Sequence, residues 1–466
     1  MAGDAQMADI TAERTKEPEL KRVMGPWLLL LFVVGDILGS SIYALTGKVA
    51  NEVGGAVWVP FVVSFLVALV TAMSYLELVT KYPHAAGAAL YTHKAFGIQF
   101  FTFMVAFAVM CSGITSASTA SRAFGANFSA AFDLDLSPGT AITLIALAFM
   151  VVVALVNLRG ISEGVKLNVL LTCIELTGLL IVIGIGCWAL GAGTGDFSRI
   201  TEFETGDRTA IGGVIAATTL AFYAMVGFED SVNMAEECKQ PSRIFPKVLL
   251  AGLGITAFIY VLVSISAVAL VPIAQLGQGD TPLLQVVKAG APAFPTHVFA
   301  YISMIAVANT ALINMLMASR LLYGMAKQRV LPPQLARVHA RRRTPYIAVL
   351  FTTLLALGLI AFVAEVPELG GTTALLLLAV FTVVNVAVLV LRRDPVAHDH
   401  FRTPTALPVI GALTCGFLVT PWTDRNPQQY VIAGVLLAIG VLLWGVNYLV
   451  IRFTHAEPAA ATPPAE

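Results

Sequence analysis

Charge is what this sequence has least of. Only 12% of its 466 residues are Asp, Glu, Lys or Arg, about half the ~25% usual in a soluble domain. With 58% hydrophobic residues and a mean hydropathy of +0.83, that deficit excludes a soluble fold and a nucleic-acid-binding surface. Cysteine is also scarce. The five (Cys111, Cys173, Cys187, Cys238 and Cys415) form no Cys-x-x-Cys pair, so they read as packing thiols. The seven histidines offer no i, i+4 pair within an apolar run, so neither a metal nor any other cofactor is expected. No signal peptide is expected either: residues 1–23 are polar and carry both signs, and so read as a cytosolic tail. Residues 455–466 are rich in Ala, Pro and Glu and read as a short disordered tail.

What is there is long apolar runs. Twelve are bounded by charge, Gly and Pro: 26–50, 57–80, 93–123, 138–157, 163–191, 209–237, 244–271, 295–326, 345–364, 370–391, 406–422 and 429–452. A membrane span needs roughly 20 such residues, so the chain reads as an all-α, multi-pass membrane protein of about twelve helices. If the amino terminus lies inside, all but six of the 28 lysines and arginines fall in cytosolic segments, the six being Lys48, Arg122, Arg199, Arg208, Lys288 and Arg425. The positive-inside rule then puts both termini in the cytosol, and Arg341-Arg342-Arg343 becomes a topology anchor.

Two spans are interrupted at matching positions. Span 1 contains Gly35-Asp36-Ile37-Leu38-Gly39-Ser40-Ser41-Ile42-Tyr43, and span 6 contains Tyr223-Ala224-Met225-Val226-Gly227-Phe228-Glu229-Asp230. They stand five spans apart, as the first helices of two five-helix repeats would. Paired, Gly-interrupted segments in two halves are the pointer to a transporter site. A helix broken in lipid leaves N–H and C=O groups without partners, which is tolerable only around a protected cavity. Free N–H groups attract an anion and free carbonyls a cation. A zwitterionic amino acid supplies both. The organisation expected is a tail at 1–23, a first repeat at 24–200, a second at 201–392, two further helices at 393–454 and a tail at 455–466.

At these residues the chain resembles the amino acid–polyamine–organocation superfamily, in particular its cationic amino acid transporter branch. The span 1 segment resembles that family's Gly-x-Ile-Ile-Gly-Ser/Thr-Gly-Ile-Phe. Tyr223 to Glu229, followed by Glu236-Glu237-Cys238-Lys239-Gln240-Pro241, resembles its sixth-helix pattern. Tyr82-Pro83-His84-Ala85-Ala86-Gly87-Ala88 and Ser319-Arg320-Leu321-Leu322-Tyr323-Gly324-Met325-Ala326 extend the likeness over about residues 25 to 345. The resemblance implies a fold of two inverted five-helix repeats with helices 1 and 6 broken. It implies that Gly39, Ser40 and Ser41 offer backbone N–H groups to a substrate carboxylate. It also implies that the carbonyls of Ile37, Tyr223, Ala224 and Val226 receive the α-amino group. Ser41 replaces the family's third glycine, and Asp36 replaces a small or amide residue, adding a negative charge beside the site.

Carboxyls at membrane depth cost about 2.5–3.5 kcal/mol on insertion scales, so each needs a reason. Glu175, in the middle of span 5, stands where some relatives carry a lysine. It either couples transport to protons, or to a cation held with Asn314 of span 8, or is a protonated structural acid. Glu229 is either a proton sensor or gate, or the cap of the broken helix. Asp36 either attracts a basic substrate group or satisfies the backbone at the break. Glu77 and Lys81 are spaced as an ordinary i, i+4 helix pair. Ser112, Thr115, Ser116 and Thr119 on span 3, with Thr382 and Asn385 on span 10, either line a pocket or let helices pack closely.

The function expected is secondary transport of amino acids or related amines across the cytoplasmic membrane, coupled to protons, by alternating access. A polyamine or basic amino acid exchanger is the second reading, and a potassium transporter a more distant third. A membrane enzyme should show a catalytic cluster at the membrane face, and a sensor an output domain. Neither is present in the sequence, so amino acid or amine, protons and lipid are the partners expected.

Overall fold

The computed structural model of the chain describes residues 24–83, 87–132, 134, 139–159, 164–327, 330–340, 342, 344–363 and 365–454, with side chains at 164–168, 233–234, 236–237 and 450–454 excepted. Both tails, His84 to Ala86, Arg341 and Arg343 lie outside the described residues, as do the side chains of Glu236 and Glu237.

The described chain is helical, with two isolated β-bridges and no strand. Each of the twelve apolar runs forms a helix. Spans 1 to 5 are Pro26–Val53, Trp58–Lys81, Gln99–Ala131, Thr140–Arg159 and Gly164–Ala192. Span 6 starts as Ala210–Ala221, and spans 7 to 12 are Pro241–Leu270, Thr296–Lys327, Tyr346–Phe362, Val366–Leu391, Ala406–Val419 and Pro427–Thr454. Ten are long and apolar enough to cross a membrane; spans 9 and 11 are shorter apolar helices. Span 3 begins later than the apolar run suggested. Gly97, at φ +67°, turns the chain there, and the preceding residues form a separate short helix, Gly87–Phe96.

Helices five apart in order pack on one another: span 1 on 6, 2 on 7, 3 on 8 and 4 on 9. Small residues permit the close approach. Thr172 of span 5 sits directly against Gly35 of span 1, and Ser266 of span 7 against Gly186 of span 5. The bridges clamp the two broken spans at both ends. Met24, just before span 1, bridges to Cys238 beyond span 6, and Gly54, just after span 1, bridges to Phe203 ahead of span 6.

Glu77 does not pair with Lys81. Its carboxylate takes both arms of Arg392, at 2.9 and 2.7 Å, and the backbone N–H of Thr403 at 2.8 Å, while Lys81 donates to the Leu391 carbonyl at 2.6 Å. Side by side on one buried helix face, the two find better-oriented partners on span 10 than each other. A bidentate, charge-assisted fork outweighs a surface-type i, i+4 contact. Asn385 is likewise structural, accepting from Ser74 at 2.7 Å and donating to Thr71 at 3.1 Å.

Candidate functional site

Span 1 is broken at one residue. Gly39 takes φ +38° and ψ −172°, with helix on either side. Span 6 comes apart over a longer stretch. One 3₁₀ turn, Phe222–Met225, follows its helix; Val226 is extended; Gly227 takes φ +121°; and a second 3₁₀ segment, Asp230–Glu237, completes it. The two breaks touch. A Cβ on Gly227 would lie 2.6 Å from the Asp36 carbonyl oxygen, so only glycine fits where the two backbones cross. Phe228 anchors the unwound stretch, its ring 5.7 Å from Tyr75 of span 2 and 5.2 Å from Phe381 of span 10.

Each break is sealed by a different group. Tyr260 of span 7 sends its hydroxyl to the carbonyls of Ile37 (2.7 Å) and Leu38 (2.6 Å). One hydroxyl proton serves one carbonyl at a time, which leaves acceptor capacity for a ligand. At span 6, Glu229 folds back and accepts from the Gly227 N–H at 2.9 Å. The Tyr223 hydroxyl lies 3.2 Å from Ser40 Oγ and 3.0 Å from Ser116 Oγ, joining spans 6, 1 and 3.

Between the breaks lies a cavity of about 20 Å³, bounded by Asp36, Ile37, Gly39, Ser40, Ser41, Ser116, Tyr223, Val226, Gly227, Asp230, Thr310 and Asn314. That is room for about one water. Val226, Asp230 and Asn314 also line a second cavity of about 760 Å³, which runs past Glu229 and Ser112 to His93 and Arg320. The larger cavity ends at the face carrying the short helix Gly87–Phe96 and the end of span 8. At the opposite face the broken spans are tied down. Arg208, ahead of span 6, pairs with Glu52 of span 1 at 2.6 Å and with Asp424 at 3.2 Å, and Lys48 lies 4.0 Å from Asp280. Burial pushes the Asp280 carboxyl up, against the pull of Lys48 and Arg122. Arg425, buried beneath this face, donates to the Gly371 carbonyl and Gln429 Oε1, both at 2.8 Å. Burial pulls its guanidinium down to about 10.

The structure brings Asp36, Ile37, Gly39, Ser40, Ser41, Tyr223, Val226 and Asn314 around one small space. Ala224 is buried in the first 3₁₀ turn of span 6. Glu229 lines the larger cavity only. Glu175 lines neither. It is fully buried, neither carboxylate oxygen has a hydrogen-bond partner, and its backbone carbonyl accepts from the Tyr43 hydroxyl at 2.6 Å. Asn314 donates to the Thr310 carbonyl of its own helix at 3.0 Å. On span 3, Ser116 lines the small cavity and Ser112 the large one, while Thr115 pairs with Thr373 at 2.7 Å.

Two residues of the site escaped the sequence reading. Asp230, which lines both cavities, was overshadowed by Glu229, the acid that the family pattern carries. Tyr260 sat unremarked inside an apolar run, although a phenol at that depth needs a partner.

An all-helical bundle with two broken spans facing a shared polar cavity defines a membrane permease. The profile of one family, described as amino acid permease, matches residues 24–450, and the chain belongs to that family. It is 25% identical to the branched-chain amino acid permease BcaP of Bacillus subtilis (strain 168), over 96% of each chain. It is also 25% identical to a methylthioribose transporter of the same organism, over 92% of this chain and 94% of that one. Cationic amino acid transporter 1 of Arabidopsis thaliana is 26% identical over 80% of this chain and 63% of its own length. The chain is therefore a multi-pass membrane protein of an amino acid transport family whose relatives are named as permeases and transporters.

Proposed function

We propose that the protein is a proton-coupled secondary transporter that carries amino acids or related amines across the cytoplasmic membrane by alternating access. Both termini are cytosolic, and residues 24–200 and 201–392 form the two repeats that rock about the site. The observation that carries the reading is the small cavity between two touching helix breaks, separated by the shared wall of Val226, Asp230 and Asn314 from a large cavity at one face, while ion pairs tie the broken spans at the other. That is an inward-facing arrangement if the basic segments are cytosolic. Gly39, Ser40 and Ser41 then meet the substrate carboxylate, and carbonyls at the two breaks meet its amino group.

Glu175 is the proton site of this proposal. An ionised carboxylate sealed without a partner is expensive, so the group carries a proton here and releases it when the site is wetted. Glu229 opens onto the larger cavity and gates it, and Asn314 bridges the two cavities. Two of the three relatives are named for amino acids, one branched-chain and one cationic, and the third for methylthioribose, so the names support amino acids without fixing which one.

Purified protein in proteoliposomes tests this, with a panel of radiolabelled amino acids and polyamines and an imposed inward proton gradient. Expected is gradient-driven accumulation of at least one compound that falls roughly tenfold or more in Glu175→Gln. Uptake indifferent to both the gradient and the substitution would instead mark an exchanger with structural acids.

A further inference from the structure

The larger cavity has room for more than a passing amino acid. At about 760 Å³ it falls among the clefts that enclose a drug-sized molecule. Its acidic lining residues among those described, Glu229 and Asp230, stand at the end that meets the small cavity. Beyond them the wall turns apolar, with Phe103 and Met110 of span 3, Met317 and Leu321 of span 8 and Leu377 of span 10. Met110 is buried, roughly 16 Å along span 3 from its start at Gln99. The rim is basic. His93 of the short helix and Arg320 of span 8 line it, and Arg320 is exposed with no ion-pair partner among the described residues.

Span 12 closes one side of this cavity with Trp444 and Tyr448, whose rings stack 5.4 Å apart. Phe100, at the start of span 3, meets Trp444 edge-on at 4.8 Å. Tyr448 is 51% exposed and Phe100 37%, and on a bundle set in lipid such side chains face acyl chains. A layer of aromatic rings thus parts the cavity from the bilayer, near helix ends where aromatic belts sit.

We propose that an anionic phospholipid inserts one acyl chain between spans 3 and 12 into this cavity and leaves its phosphate on Arg320 and His93. Basic pockets between membrane helices hold such headgroups. The apolar stretch behind Arg320 and His93 matches a hydrocarbon chain, whereas the polar body of an amino acid finds no partners along it. The phosphate meets no carboxylate at the rim, because both acids lie at the far end. This stands on the membrane location of the chain and not on the transport reading.

The experiment is photo-crosslinking in proteoliposomes with phosphatidylglycerol and phosphatidylcholine that carry the same diazirine-labelled acyl chain. The attached sites are mapped by peptide mass spectrometry. Expected is attachment at Phe103 and Met110, both 1% exposed and out of reach of bulk lipid, and roughly fivefold or more of it from phosphatidylglycerol. Arg320→Gln should remove most of that preference. Attachment at Leu442, 68% exposed on span 12, should be equal for the two lipids and unchanged in the variant, which establishes that the variant is folded and embedded. Attachment confined to outward side chains such as Leu442 overturns the proposal. Attachment inside the cavity that is equal for the two lipids also overturns it, as does a preference unchanged in Arg320→Gln.

Discussion

Spans 1 and 6 are interrupted where they touch, yet they come apart differently. Span 1 bends at Gly39 and resumes its helix at once. Span 6 gives up α-helix at Ala221 and continues in 3₁₀ and extended backbone to Glu237. The first break is closed from outside, by the Tyr260 hydroxyl of span 7; the second is closed from within, by Glu229 two residues along. A hinge of one residue with a borrowed cap can move as two rigid halves. A long unwound stretch with its own cap can change conformation locally.

Substitutions can break or sharpen this contrast. The largest effect is expected at Gly227, where a Cβ would meet the span 1 backbone at 2.6 Å and the φ of +121° is foreign to other residues. Gly227→Ala should cost about 3 kcal/mol or more and reduce uptake to background, measured alongside thermal unfolding in detergent. Tyr260→Phe should come next. It removes the one donor that the Ile37 and Leu38 carbonyls share, a loss of about 1–3 kcal/mol, and should raise hydrogen exchange in span 1 while leaving span 6 unchanged. Gly39→Ala should be milder. Its φ is also left-handed, but the nearest atom to a new Cβ, Thr310 Oγ1, is 3.5 Å away, so only backbone strain of about 1–2 kcal/mol is felt. The smallest effect on stability is expected for Glu229→Gln, about 1 kcal/mol or less, because the amide oxygen can still accept from Gly227. If Glu229 gates by titrating, that variant alone should flatten the pH dependence of uptake. If it only caps, the pH profile should not move.

Much of this architecture was legible in the sequence because lipid imposes strong rules. Length and hydropathy located twelve helices, and Gly39 and Gly227 marked both breaks. What escaped depends on neighbours distant in sequence. Nothing near Glu77 points to Arg392, 315 positions away, so the adjacent Lys81 looked like its partner. The start of span 3 was hidden because residues 93–96 are as compatible with a span as with the short helix that Gly97 ends. Asp230 was present in the quoted motif, but only the meeting of the two breaks shows that it shares a cavity with Asp36.

The central claim, that substrate sits between the two breaks, is tested most directly by Asn314→Cys, on the wall the two cavities share, in a background with the five native cysteines replaced. The measurement is modification by a small membrane-impermeant thiol reagent applied to inside-out vesicles. The account predicts that the thiol is modified from this side and that a transported substrate slows modification roughly tenfold or more. Modification that proceeds at the same rate with saturating substrate would contradict it.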